Sequence, residues 1–158
     1  MSHNILFVCT GNVCRSPMAA ALFNRRALRA GESDCITARS VGTWALDGQP
    51  ASGFAINSMA ERGLDIRTHR ACTLTRQDLD DADLIIVMTR GHRDALGAEF
   101  PEVRPKLHLM SELAGRVYDI ADPYGGPLSE YRNCARQLED LIEHGYDQIK
   151  SWLPLNQP

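Results

Sequence analysis

Cys9 and Arg15 bracket five residues in Val8-Cys9-Thr10-Gly11-Asn12-Val13-Cys14-Arg15-Ser16-Pro17. That spacing suits a loop that wraps a phosphate and attacks it. The cysteine supplies a nucleophile. The arginine offers a planar fork matched to two phosphate oxygens. Loop N–H groups and the start of a following helix add donors aimed at an anion. A free thiol is mostly protonated at neutral pH, so an attacking thiolate needs stabilising neighbours. The loop N–H groups, the helix N-terminus, Arg15 and the Ser16 hydroxyl are the groups available. Gly11 and Asn12 tolerate the positive φ values that a loop curling round an anion often needs.

If the ligand is a phosphate ester, its leaving oxygen needs a proton. Asp122, in Asp122-Pro123-Tyr124-Gly125-Gly126, is the foremost candidate, acting as acid in the first step and as base on water in the second. Asp119 is a competing carboxylate, and spacing alone does not separate the two. Trp44 and Tyr124 could wall a cleft for an aromatic substrate, although Trp44 equally suits a partly buried core position. A zinc site built on Cys9 and Cys14 lacks a second pair of ligands. Cys35, Cys72 and Cys134 read as structural, and the acidic stretch from Asp78 to Asp83 as a solvated helix end.

Elements of alternating type must position these residues. Ile5 to Val8 is wholly apolar and reads as a buried strand leading into the loop. Pro17 to Ala30 reads as a helix, with Ser16 as its cap and Gly31 as its stop. Ile36 to Val41 alternates like a strand. Pro50 to Arg62 reads as a helix ended by Gly63, and Thr75 to Asp81 as a short helix in which Thr75 and Asp78 resemble a capping box. Asp83 to Met88 is a second buried strand, Gly91 to Gly97 a helix and Lys106 to Met110 a short strand. A long final helix spans Ser129 to Leu153, with Leu138, Leu141, Ile142, Ile149 and Trp152 on one face and Gly145 as a weak point. Asp119 to Ser129 is irregular. Strands alternating with helices imply a parallel sheet, with functional loops at the carboxyl ends of its strands.

The bulk properties agree with such a chain. Its 158 residues fall within the range of one domain, assigned to 1–158. Hydrophobic residues make up 44% and charged residues 23%, as in globular proteins at large. A net charge of −3 gives no global field for nucleic acid. The N-terminus lacks the basic and apolar regions of a secretion signal, and no stretch reaches the roughly 18 apolar residues of a membrane span. The expectation is a cytoplasmic protein. Five cysteines without regular spacing fit a reducing compartment better than a disulfide framework.

The loop Cys9 to Pro17, paired with Asp122-Pro123-Tyr124 late in the chain, resembles the low-molecular-weight protein tyrosine phosphatases. The resemblance covers nearly the whole length, and the two motifs in this order and separation are highly specific. It implies a three-layer, flavodoxin-like α/β sandwich around a parallel sheet of about four strands. It implies Cys9 as nucleophile, Arg15 as phosphate clamp and Asp122 as acid and base, with no metal or organic cofactor. Thr10 to Ser16 would complete the phosphate-binding loop. Ser16 would stabilise the thiolate, and Asn12 would hold the loop's shape with support from Ser40 and His69. Cys14 either packs inside the loop or, as the resemblance implies, forms a reversible disulfide with Cys9 under oxidation. The implied partners are phosphorylated proteins, among them a tyrosine kinase or its targets, rather than nucleic acid or membrane.

Val13 bears on the substrate. Some relatives act on phosphoarginine, and in the family a threonine at this loop position goes with that activity; valine leans towards phosphotyrosine. The Asp122 to Gly126 stretch and the helix after it nevertheless resemble the phosphoarginine branch. Arsenate reduction on the same fold would need further cysteines between Thr89 and Met110, where there are none. A non-catalytic phosphoprotein-binding module would be expected to lack the nucleophile or the acid, and this chain has both.

Overall fold

The computed structural model describes residues 2–154. The ends of the single-domain reading over 1–158 therefore lie outside the described residues. Four strands form one sheet: β1 (His3–Cys9), β2 (Ile36–Gly42), β3 (Leu84–Val87) and β4 (Leu107–Leu109). Their order is β2-β1-β3-β4 and every pairing is parallel. Five helices connect and cover them: α1 (Arg15–Arg29), α2 (Gly53–Ala60), α3 (Arg76–Asp81), α4 (Arg90–Glu99) and α5 (Leu128–Trp152).

The period of two in β1 divides the apolar residues between two cores. Ile5 and Phe7 pack with α1 and α5 through Phe23, Leu138 and Ile142. Leu6 and Val8 face the other way, with Leu79 of α3, Leu96 of α4 and Ile85 and Val87 of β3. β3 is buried along its whole length, as a central parallel strand covered on both faces must be. The result is the expected three-layer α/β sandwich. Strand order reverses between β1 and β3, so the crevice used by doubly wound sheets opens beside the carboxyl end of β1, where Cys9 ends the strand.

Several element boundaries differ from the sequence reading, each for a local reason. α1 begins at Arg15 with Cys14 at the cap position and no side-chain cap, so Ser16 lies inside the first turn instead of capping it. α2 starts only at Gly53 because the preceding backbone is engaged elsewhere. Ser52 N–H donates to the Val13 carbonyl, and the Gln49 carbonyl accepts from Ala71. The Thr75 capping box forms as expected, and a second joins Thr89 to His92. α5 runs unbroken through Gly145. A Cβ there would stand 2.7 Å from the Leu113 Cβ, so glycine permits a close crossing against the 3-10 turn Met110–Ala114. That turn and another over Pro101–Lys106 carry too little periodicity to be read from sequence.

Candidate active site

The segment from Cys9 to Val13 turns its carbonyls outward. Those of Cys9, Thr10, Gly11 and Val13 accept from the backbone N–H groups of Thr43, Trp44, Leu46 and Ser52, at 2.9–3.2 Å. The Asn12 carbonyl accepts from Nε2 of His69 at 2.7 Å. In a trans peptide the next N–H points opposite to its carbonyl. Five successive outward carbonyls therefore aim the N–H groups of Thr10 to Cys14 at the concave side, an anion-binding nest. α1 continues the nest. Its first turn has neither a side-chain cap nor an acidic residue, which leaves its N–H groups for an anion.

Asn12 is the only described non-glycine residue with positive φ, at 59°. Gly11 is not among the positive-φ residues, so the loop's left-handed turn rests on Asn12 alone. The Asn12 side chain is fully buried and its three bonds fix its orientation. Oδ1 accepts from Cys72 N–H at 3.0 Å, and Nδ2 donates to Ser16 Oγ at 2.8 Å and to Ser40 Oγ at 3.0 Å. Ser16 Oγ, already accepting from Asn12, lies 2.9 Å from Cys9 Sγ and can donate its own proton to that sulfur. His69, Asn12, Ser16 and Cys9, with Ser40 at the side, are thereby joined in one hydrogen-bonded chain.

Arg15 is 4% exposed. One guanidinium nitrogen donates to the Ile120 carbonyl at 2.9 Å, and the other lies 3.5 Å from Asp122 Oδ2. Its Nε is buried and has no hydrogen-bond partner among the described residues. Asp122 accepts from Tyr124 N–H through Oδ1, a local turn that holds the half-exposed carboxylate at the cavity edge. Asp119 is committed elsewhere. It accepts from the backbone N–H and Nε of Arg90 at 2.9 and 3.1 Å, and that pairing holds its carboxyl below the usual carboxylate range.

These residues enclose a cavity of about 370 Å³, floored by Cys9 to Arg15 and walled by Trp44, Leu46, Asp122 and Tyr124. Trp44 is 82% exposed, so its place is the wall and not the core. Tyr124 is also exposed, and Val13 is buried at the floor. Cys14 is buried, with Sγ 3.3 Å from Ser52 Oγ and donating to Tyr131 Oη at 3.5 Å; burial pushes its thiol up. Cys134 is a core residue as expected, but Cys35 and Cys72 are exposed and contribute little packing.

Leu46, Ile120 and His92 escaped the sequence reading. Leu46 was one apolar residue in an unassigned loop, and Ile120 acts through its backbone carbonyl, which no side-chain pattern reveals. His92 is fixed to Thr10 across 82 residues of sequence.

A thiol held beside a nest of N–H donors, a buried arginine and a carboxylate at the rim is an arrangement able to bind an anion and present a nucleophile to it. Residues 4–152 match the low molecular weight phosphotyrosine protein phosphatase family, and the chain belongs to it. Among curated relatives, a protein-arginine-phosphatase of Geobacillus stearothermophilus is 38% identical over 152 residues, covering 96% of this chain and 99% of its own. A probable low molecular weight protein-tyrosine-phosphatase of Ralstonia solanacearum is 36% identical over 154 residues, covering 98% and 96%. The crystal structure of a low molecular weight protein tyrosine phosphatase from T. tengcongensis is 40% identical, with a TM-score of 0.87 over 93% of this chain and 99% of that one.

Proposed function

We propose that this protein removes phosphate from phosphotyrosine in proteins through a cysteinyl-phosphate intermediate. Cys9 Sγ attacks phosphorus while the bond to the tyrosine oxygen breaks, and Asp122 gives that oxygen its proton. Water then attacks phosphorus, Asp122 takes a proton from it, the S–P bond breaks, and phosphate leaves with the thiolate restored. Arg15 and the loop N–H groups hold the three non-bridging oxygens, where charge is spread in the transition state. Ser16 donates to the thiolate, both as nucleophile and as leaving group.

The observation that carries the substrate is Val13, an apolar side chain at the cavity floor below walls of Trp44, Leu46 and Tyr124. An aromatic ring gains from such surroundings, whereas a phosphoguanidinium group there would leave its N–H donors unmatched. The nearby protein-arginine-phosphatase supports a second reading, activity on phosphoarginine, as does the Asp122 to Gly126 stretch. Peptides carrying phosphotyrosine, phosphoarginine or phosphoserine, assayed side by side, separate the two. We expect phosphotyrosine to give the highest kcat/KM, Val13→Thr to move the ratio towards phosphoarginine, and Cys9→Ser to abolish turnover of all three. A wild-type preference for phosphoarginine would overturn the substrate assignment.

The partners on this reading are phosphorylated proteins of the cytoplasm, among them a tyrosine kinase or its targets. Cys14 then serves as a redox partner. Peroxide oxidises the Cys9 thiolate to a sulfenic acid, the Cys14 thiol condenses with it to form the disulfide and release water, and a dithiol reductant restores both thiols. Peroxide-treated wild type should recover activity on adding dithiothreitol. A Cys14→Ser variant should recover less, and equal recovery would remove this role.

A further inference from the structure

His92 is a buried histidine that the proposed chemistry does not use. It lies in the first turn of α4, 8% exposed. Its Nδ1 is 3.2 Å from the backbone N–H of Thr89, and its Nε2 is 2.8 Å from Thr10 Oγ1. A backbone N–H can only donate, so Nδ1 must accept and the ring proton must sit on Nε2. Nε2 therefore donates to Thr10, and Thr10 Oγ1 is an acceptor in that bond. The hydroxyl keeps its own proton, and His92 is the only partner of that oxygen among the described residues. Thr10 is exposed and lines the cavity, next to Cys9. Arg15, Asp119 and Asp122 are the charged groups that act on His92, so the pair sits where the phosphate loop meets the Asp122 segment.

We infer that the Thr10 hydroxyl is an additional donor to the bound phosphoryl group and that His92 is the positioning residue that turns the hydroxyl proton towards it. A rotating hydroxyl beside an anion would share its proton between the anion and other acceptors. With its acceptor side occupied by Nε2–H, the Thr10 hydroxyl keeps its donor side for the cavity at no reorganisation cost. The inference rests on the reading of this cavity as a phosphoryl site.

Side-chain replacements separate the two halves of His92. Glutamine places an N–H near the position of Nε2 and keeps the bond to Thr10. Asparagine places an acceptor near Nδ1 and keeps only the contact with Thr89 N–H. The measurements are inhibition of the full-length protein by inorganic phosphate, kcat and KM for an aryl phosphate, and Tm as a check on folding. Thr10→Val should raise the inhibition constant for phosphate and lower kcat/KM by roughly three- to tenfold, with Thr10→Ser near wild type. His92→Asn should reproduce the Thr10→Val loss, His92→Gln should largely restore activity, and the double variant Thr10→Val/His92→Asn should be no worse than Thr10→Val alone. An unchanged phosphate affinity in Thr10→Val would overturn the donor. A near-normal His92→Asn beside a damaged His92→Gln would show that His92 serves only as a helix cap. Failure of phosphate to inhibit the wild type would instead count against the phosphoryl site itself.

Discussion

Asp119 and Asp122 share a residue type and a segment, and their surroundings divide the work between them. Asp119 is bound by Arg90 through both its backbone N–H and its guanidinium, which stabilises the carboxylate and makes it a poor proton donor. Asp122 has only a turn bond from Tyr124 and a looser approach to Arg15, and it borders the cavity. Asp122→Asn should lower kcat by about 10²–10⁴ on alkyl or phenyl phosphates, with a smaller loss on leaving groups that need no proton. Asp119→Asn should cost far less and act by loosening the segment. A comparison across leaving groups checks this, and a larger loss in Asp119→Asn would reassign the acid. Sequence spacing could not choose between these carboxylates, because the choice rests on Arg90, 29 residues away. Cys9, Arg15 and Ser16 were legible because one strand–loop–helix unit holds all three.

The ends of β1 and β2 fix the curvature of the phosphate loop. Gly42 pairs with Cys9 in the register, and a Cβ at Gly42 would stand 2.3 Å from the Thr10 carbonyl oxygen and 3.1 Å from Asn12 Cβ. Backbone cannot give way as a flexible side chain can, so Gly42→Ala must displace the loop or the strand end. We expect a destabilisation of about 1–3 kcal/mol together with a loss of kcat/KM larger than the stability change alone would cause. Gly145→Ala, which strikes Leu113 on the distant α5 crossing, should lower Tm and leave kcat/KM near wild type. If both variants keep full activity, Gly42 does not shape the site. Gly42 drew no notice in the sequence, and Gly145 read only as a weak point in its helix. The constraint on each comes from an element that meets it only after folding, whereas Gly31, at φ 72°, ends α1 by local conformation and was readable.

For the molecule as a whole, the parallel sheet and the place of the Cys9 loop at a carboxyl end of it were legible in the sequence, while the strand order β2-β1-β3-β4 was not. Alternating strands and helices fix a parallel sheet, and the loop after β1 falls at its topological switch point. Less legible were the ties that bring distant segments to that point: Arg15 to Ile120, Asn12 to Cys72, and Thr10 to His92. The last tie also makes global stability depend on pH. Burial, reinforced by the positive charge of Arg15, pushes the His92 imidazole down to about 4 from 6.5, while Asp119 and Asp122 oppose that shift. In the unfolded chain the ring takes up a proton below about pH 6.5; in the folded protein it does so only near pH 4. Between those values the unfolded state binds more protons, so stability falls as pH falls from about 6.5 towards 4. Asp119, held ionised by Arg90, works in the same direction at lower pH, since its native pairing is lost on protonation. His92→Gln has no ring to titrate and keeps a donor to Thr10. Its Tm should therefore drop less than that of wild type between pH 6.5 and 4.5, and the two curves should run parallel above pH 7. Equal drops over the acid range would mean that His92 does not govern the acid response and that surface carboxylates do.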